Sequence, residues 1–169
     1  MRRPDIVQAR AAAKETLGAT RTVTPPVPIE RLARQRGMKV QFSPLDPELS
    51  GMAYVKEGVP FIGVNSLHHP NRQRFTIAHE MGHHILHAGL LASGVHVDTV
   101  VLRRDPLAGQ GINPEEIEAN NYAAELLMPE EWLAPLVVGL DVGDDEGLAI
   151  VAKKFKVSVA ALQFRLLKM

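Results

Sequence analysis

Apolar positions along this chain recur in two periods, and the alternation between them predicts mixed α and β structure. Residues 5–17 are Ala-rich and amphipathic and read as a helix. Thr24 to Pro28 is a proline-stiffened connector, and 29–36 is a short helix stopped by Gly37. Residues 38–42, 51–55 and 59–64 have strand character, with Lys56-Glu57-Gly58 as a hairpin turn between the last two. A long helix begins near Pro70, a residue suited to a first helical turn, and runs to about Ala88. Residues 95–102 form another strand-like stretch, and 103–114 a loop punctuated by Gly and Pro. A second strong helix spans 114–127 and ends at Met128-Pro129. A short helix over 130–138, an acidic loop over 139–147 and two helices near 145–155 and 158–168 complete the chain.

The two long helices differ in how they use their faces. The helix from Pro70 carries Phe75, Gly82 and Leu86 on one side and Ile77, Met81, Ile85 and Ala88 on others, which predicts central burial. On the 114–127 helix, Glu116 shares a face with Ala119, Asn120, Ala123 and Leu127, small and apolar as a packed face should be. The face of Glu118, Asn121, Tyr122 and Glu125 is mostly polar and is expected to be solvated. Trp132 and Tyr122 read as packing residues.

Composition narrows the classes. The 169 residues are 46% hydrophobic, enough for a core and too many for a disordered chain. Lys plus Arg equal Asp plus Glu, so no broad basic footprint points to nucleic acid. There is no cysteine, so a metal site must use His, Asp or Glu. Met1 to Asp5 are not followed by an apolar signal region, and no apolar run approaches the length of a membrane span. A cytoplasmic protein is the expectation.

Chemistry enters with His79-Glu80-Met81-Gly82-His83 on the long helix. With 7 His and 12 Glu in the chain, chance yields roughly 0.02 such patterns. Positions four apart share a helix face, so His79 and His83 can aim at one point, as zinc ligands do, with Glu80 placed as general base. Gly82 costs about 1 kcal/mol of helix propensity, which makes sense if another backbone approaches there. Two histidines leave a catalytic zinc one protein ligand short. The helix of Glu115 to Leu127 offers carboxylates, and the face argument selects Glu116. Asn120, one turn later, is placed to hydrogen-bond a ligand histidine. His87 faces roughly as His83 does and, with Arg72 and Tyr54, is a candidate to line a cleft and donate to an oxyanion; the sequence does not choose among them. His84 points away, and His68, His69 and His96 fall in or near loops and read as solvated.

Arg72 to His83, followed by Glu116-Ile117-Glu118-Ala119-Asn120-Asn121-Tyr122-Ala123-Ala124 and Leu126-Leu127-Met128-Pro129, resembles the ImmA/IrrE family of metallopeptidases. Ser50-Gly51-Met52-Ala53 and Ile62-Gly63-Val64-Asn65 are similar to its sheet segment, so the resemblance covers about 25–135. Tyr122 stands where the family usually has Phe. The resemblance implies an α+β, zincin-like core: a small three- to four-stranded sheet packed on the His-Glu-x-x-His helix and a Glu-ligand helix. It implies one zinc held by His79, His83 and Glu116, with Glu80 as catalytic base. It also implies cleavage of a helix-turn-helix transcriptional repressor, in induction of a phage-like element or a stress response.

The expected organisation is a metallopeptidase domain over 1–138 and helix-turn-helix-like closing helices over 139–169, packed on the same domain. Ser158 is the expected N-cap of the last helix. Its donors, Gln163, Arg165 and Lys168, are too few for groove reading, which favours packing or partner recognition over direct DNA binding. The rival expectation is a non-catalytic zinc-containing regulator or antitoxin-type partner that holds a repressor without cutting it.

Overall fold

The computed structural model of the chain describes residues 2–99 and 113–169. Residues 100–112, the end of the strand expected over 95–102 and most of the loop expected over 103–114, lie outside the described residues. The described elements are α1 (Ile6–Gly18), α2 (Ile29–Gln35), β1 (Lys39–Ser43), β2 (Leu49–Lys56), β3 (Val59–Asn65), α3 (Pro70–Leu86), α4 (Ala88–Leu91), β4 (His96–Thr99), α5 (Pro114–Leu127), α6 (Glu130–Val137), α7 (Asp145–Phe155) and α8 (Val159–Leu166). The α+β class expected from the sequence holds, with a four-stranded mixed sheet and eight helices among the described residues.

Local chemistry explains the boundaries. The Asp5 carboxylate accepts from Gln8 N and opens α1. Asn113 accepts from Glu115 N and, with Pro114 behind it, opens α5. Asp144 and Ser158 cap α7 and α8 in the same way, so Ser158 plays its expected part. Between β2 and β3 the turn residues Glu57 and Gly58 both have positive φ, 52° and 76°, the tight hairpin that its Gly permits.

Strand order is β1-β3-β2-β4. β1 runs parallel to β3, while β2 is antiparallel to both β3 and β4. Helix α3 lies across β2 and β3, and α5 packs against α3. A single apolar cluster joins sheet, α3, α5 and the closing helices, running from Val40, Ile62 and Val64 through Ile77, Met81 and Leu126 to Leu148, Phe155 and Leu162. Gly82 is where α3 and α5 meet: a Cβ there would lie 3.2 Å from Ala119 Cα and 3.1 Å from Tyr122 Cδ1. The glycine therefore allows the close helix contact its position suggested.

Two sequence expectations about surfaces are corrected. Glu118, Asn121, Tyr122 and Glu125 are buried rather than solvated. The cause is topological: α5 is covered by α3, α1 and α8 together, so its polar face also turns inward. Arg165, counted as an exposed donor on the last helix, is only 1% exposed. It bonds Glu125 Oε2 at 2.5 Å and Met128 O at 3.2 Å, which ties α8 to α5.

Candidate metal centre

Helix α3 places His79, Glu80 and His83 on its buried length, all three essentially inaccessible. His79 Nε2 lies 3.1 Å from His83 Nε2. Glu116, projecting from the first turn of α5, puts Oε2 3.3 Å from His79 Nε2 and Oε1 3.2 Å from His83 Nε2. Asn120 Oδ1 is 3.0 Å from His79 Nδ1. With that N–H donating to Asn120, His79 Nε2 carries its lone pair into the cluster.

These atoms fit a divalent cation. Two buried imidazole lone pairs and a carboxylate face one another, an arrangement that costs free energy unless positive charge joins it. Ligand atoms about 2.1 Å from a tetrahedral zinc stand roughly 3.4 Å apart, close to the observed separations. The donor set, nitrogen and oxygen without sulfur, suits zinc and other first-row divalent ions.

A fourth side chain joins the group. His96 Nε2 is 2.6 Å from Glu116 Oε1, and its Nδ1 is 3.1 Å from Glu80 Oε2. His79, His83, His96 and Glu116 together could hold a metal ion. The expectation that His96 is solvated in a loop is thus corrected: it lies on β4, with its ring centroid 3.8 Å from that of His83. The signal was present in the sequence. Val95-His96-Val97-Asp98 alternates with period two, so His96 and Asp98 share a strand face. Pairing of Ala53 with His96 and Gly51 with Asp98 turns that face toward α3, and leaves Val95 and Val97 exposed.

Electrostatics follow from burial and from these contacts. Burial pushes the Glu80 carboxyl up, against the pull of His96 and His79. Its Oε1 is buried without a hydrogen-bond partner. Burial also raises Glu116, but hydrogen bonds from His79, His83 and His96 outweigh it and hold that carboxyl well below the usual range. His83 is pushed down to about 3, chiefly by desolvation. His96 stands at about 10, because its bonds to Glu116 and Glu80 overcome the desolvation.

The remaining candidates sit elsewhere. Arg72 donates to Ser50 Oγ at 3.0 Å, about 10 Å along the helix axis from His79. Tyr54 stacks on Phe61 with ring centroids 5.1 Å apart. By strand parity that is the sheet face opposite Gly51 and Ala53, away from the cluster. His87 is buried and bonded to His83 and Glu118 rather than turned toward open space. His84 points to Phe61 O, His68 to Pro47 O, and His69 caps α3.

With this geometry established, residues 33–167 match the IrrE N-terminal-like domain that defines the Peptidase_M78 family. The chain belongs to that family. No curated protein matches it. Among solved structures, a Mycobacterium tuberculosis transcriptional regulator is similar in fold, with a TM-score of 0.64 and 19% identity. The likeness covers 94% of this chain and 55% of that one, so this M78 domain spans little more than half of that regulator. Among the described residues no helix is long and apolar enough to cross a membrane.

Proposed function

We propose that this metallopeptidase-family domain is a zinc-dependent endopeptidase that cleaves a helix-turn-helix transcriptional repressor. The observation that carries the catalytic part is the convergence of His79 Nε2, His83 Nε2 and the Glu116 carboxylate within 3.1–3.3 Å, beside the buried carboxylate of Glu80. The substrate class is supported by the family's likeness to ImmA/IrrE peptidases and by the name of the similar structure, a transcriptional regulator.

His79, His83 and Glu116 would hold the cation, with Asn120 fixing the His79 tautomer. A cation bound there supplies Lewis acidity toward water and the scissile carbonyl. Glu80 takes a proton from the attacking water at Oε1, the oxygen without a partner, and returns it to the amine nitrogen as the C–N bond breaks. Burial raises its carboxyl, which favours holding the proton between the two steps. His96 holds the other oxygen, Oε2, and so fixes the carboxylate's rotation.

The test combines full-length protein, zinc and a candidate helix-turn-helix repressor, with cleavage read by mass spectrometry. Wild type is expected to produce one defined cut, and Glu80→Gln to keep zinc while losing at least 100-fold in rate, as expected for loss of a positioned base. A cut that survives in Glu80→Gln rejects the proposed base. Stable capture of the repressor without any cut identifies instead a binding-only regulator or antitoxin-type partner.

A further inference from the structure

Behind His83, on the side away from the cluster, the structure contains a chain of polar contacts that the proposed hydrolysis does not use. His83 Nδ1 lies 3.1 Å from His87 Nδ1. His87 Nε2 lies 2.8 Å from Glu118 Oε2. Glu118 Oε1 accepts from the Asp5 backbone N–H at 2.6 Å and from Arg2 at 2.7 Å, and Arg2 also reaches Oε2 at 3.0 Å. His83, His87 and Glu118 are all buried.

Only one assignment of protons satisfies every contact when His83 Nε2 offers its lone pair to a cation. His83 must then carry its proton on Nδ1 and donate it to His87 Nδ1. His87 carries its own proton on Nε2 and donates it to the Glu118 carboxylate. Each donor has one acceptor, and the negative end of the chain is anchored by the N-terminal segment.

We propose that His87 and Glu118 form a positioning relay for the metal ligand His83, fixing its ring and tautomer through two successive N–H donations. The inference rests on the metal reading above and adds two residues to it. The relay raises the electron density on His83 Nε2, as partners behind a ligating histidine do. It also makes the metal affinity depend on residues 2–5, which hold Glu118 from the other end of the chain.

The test measures zinc binding by chelator competition on full-length protein, with the denaturation midpoint of the zinc-free protein as a fold control. His87→Ala is expected to weaken zinc about 10- to 100-fold, and Glu118→Gln to weaken it by a smaller factor. The deciding measurement is a double-mutant cycle. In His87→Asn the side-chain oxygen still accepts from His83 Nδ1–H but does not reach Glu118. That variant keeps most of the affinity, and adding Glu118→Gln to it changes zinc binding no further. A merely structural Glu118 would lower affinity equally in both backgrounds, which overturns the relay. Unchanged affinity in His87→Ala overturns it as well. If the wild type itself binds zinc no better than His79→Ala, the metal reading fails first, and that result is distinct from either.

Discussion

Gly51 lies where β2 passes close to the motif helix, beside Thr76 and Glu80. A Cβ built there overlaps Thr76 Cγ2, lies 2.6 Å from the Gly63 carbonyl oxygen and comes within 3.7 Å of Glu80 Oε1. The Gly63 oxygen on β3 cannot rotate away, and Thr76 stands on α3, so Gly51→Ala strains β2 against both neighbours. Overpacking of this kind costs about 1–3 kcal/mol. The expected result is a lower denaturant midpoint in the metal-free protein and, on the proposed function, slower cleavage, because Glu80 and His96 are displaced together. A midpoint unchanged from wild type would show that the sheet yields freely at this point. The same residue shows what sequence can and cannot reveal. His79 and His83 are legible as a pair because positions four apart share a helix face. Glu116 and Asn120 could be placed because their neighbours, Ala119 and Ala123, are small. The sequence leaves His96 looking solvated because its side depends on a register with Gly51 and Ala53 that pairs residues more than forty apart. The burial of Glu118 is not legible in the sequence, because a helical wheel shows which residues share a face, not how many helices will cover it.

At the scale of elements, α1 and α5 are joined by a buried hydroxyl pair. Thr16 Oγ1 donates to Ala12 O, one turn back, so its 2.9 Å bond to Tyr122 requires the phenol proton. Burial pushes that phenol up to about 12. The folded value lies above the ordinary 10.0, so the contribution is present in full below about pH 10 and is lost as pH rises through about 12. Tyr122→Phe is expected to cost about 1 kcal/mol at neutral pH, the net value of one hydrogen bond. It should also flatten the alkaline fall in stability between those two pH values. Urea midpoints of both proteins at pH 8 and above pH 10 would reveal this, and an equally steep fall in the variant would assign the alkaline limb to other groups. The Phe that the resemblance leads one to expect at this position fits the same reasoning: the ring does the packing, and the hydroxyl adds a tie specific to a chain with Thr16.

For the whole molecule, the question is how the closing helices relate to the body that carries the His79, His83 and Glu116 cluster. The sequence suggests closing helices after residue 138 packed on the same domain, and several apolar side chains beyond it, Leu148, Phe155 and Leu162, are buried in the same cluster as Met81 and Leu126. The tie between the two parts is ionic as well as apolar. Arg165 and Glu125 are each 1% exposed in their side chains. Arg165→Ala would leave the Glu125 carboxylate buried without its partner, a change that typically costs 3–5 kcal/mol. Replacing both, as Arg165→Met with Glu125→Leu, removes the charges together and is expected to cost far less, because an apolar pair of similar volume needs no compensation. Calorimetry can compare the three proteins. One cooperative transition that moves down sharply in Arg165→Ala and recovers in the double variant marks 139–169 as part of the same folding unit. A transition that splits in two, with the part before residue 138 unmoved, would mean that the helices after 138 unfold by themselves and the pair only docks them.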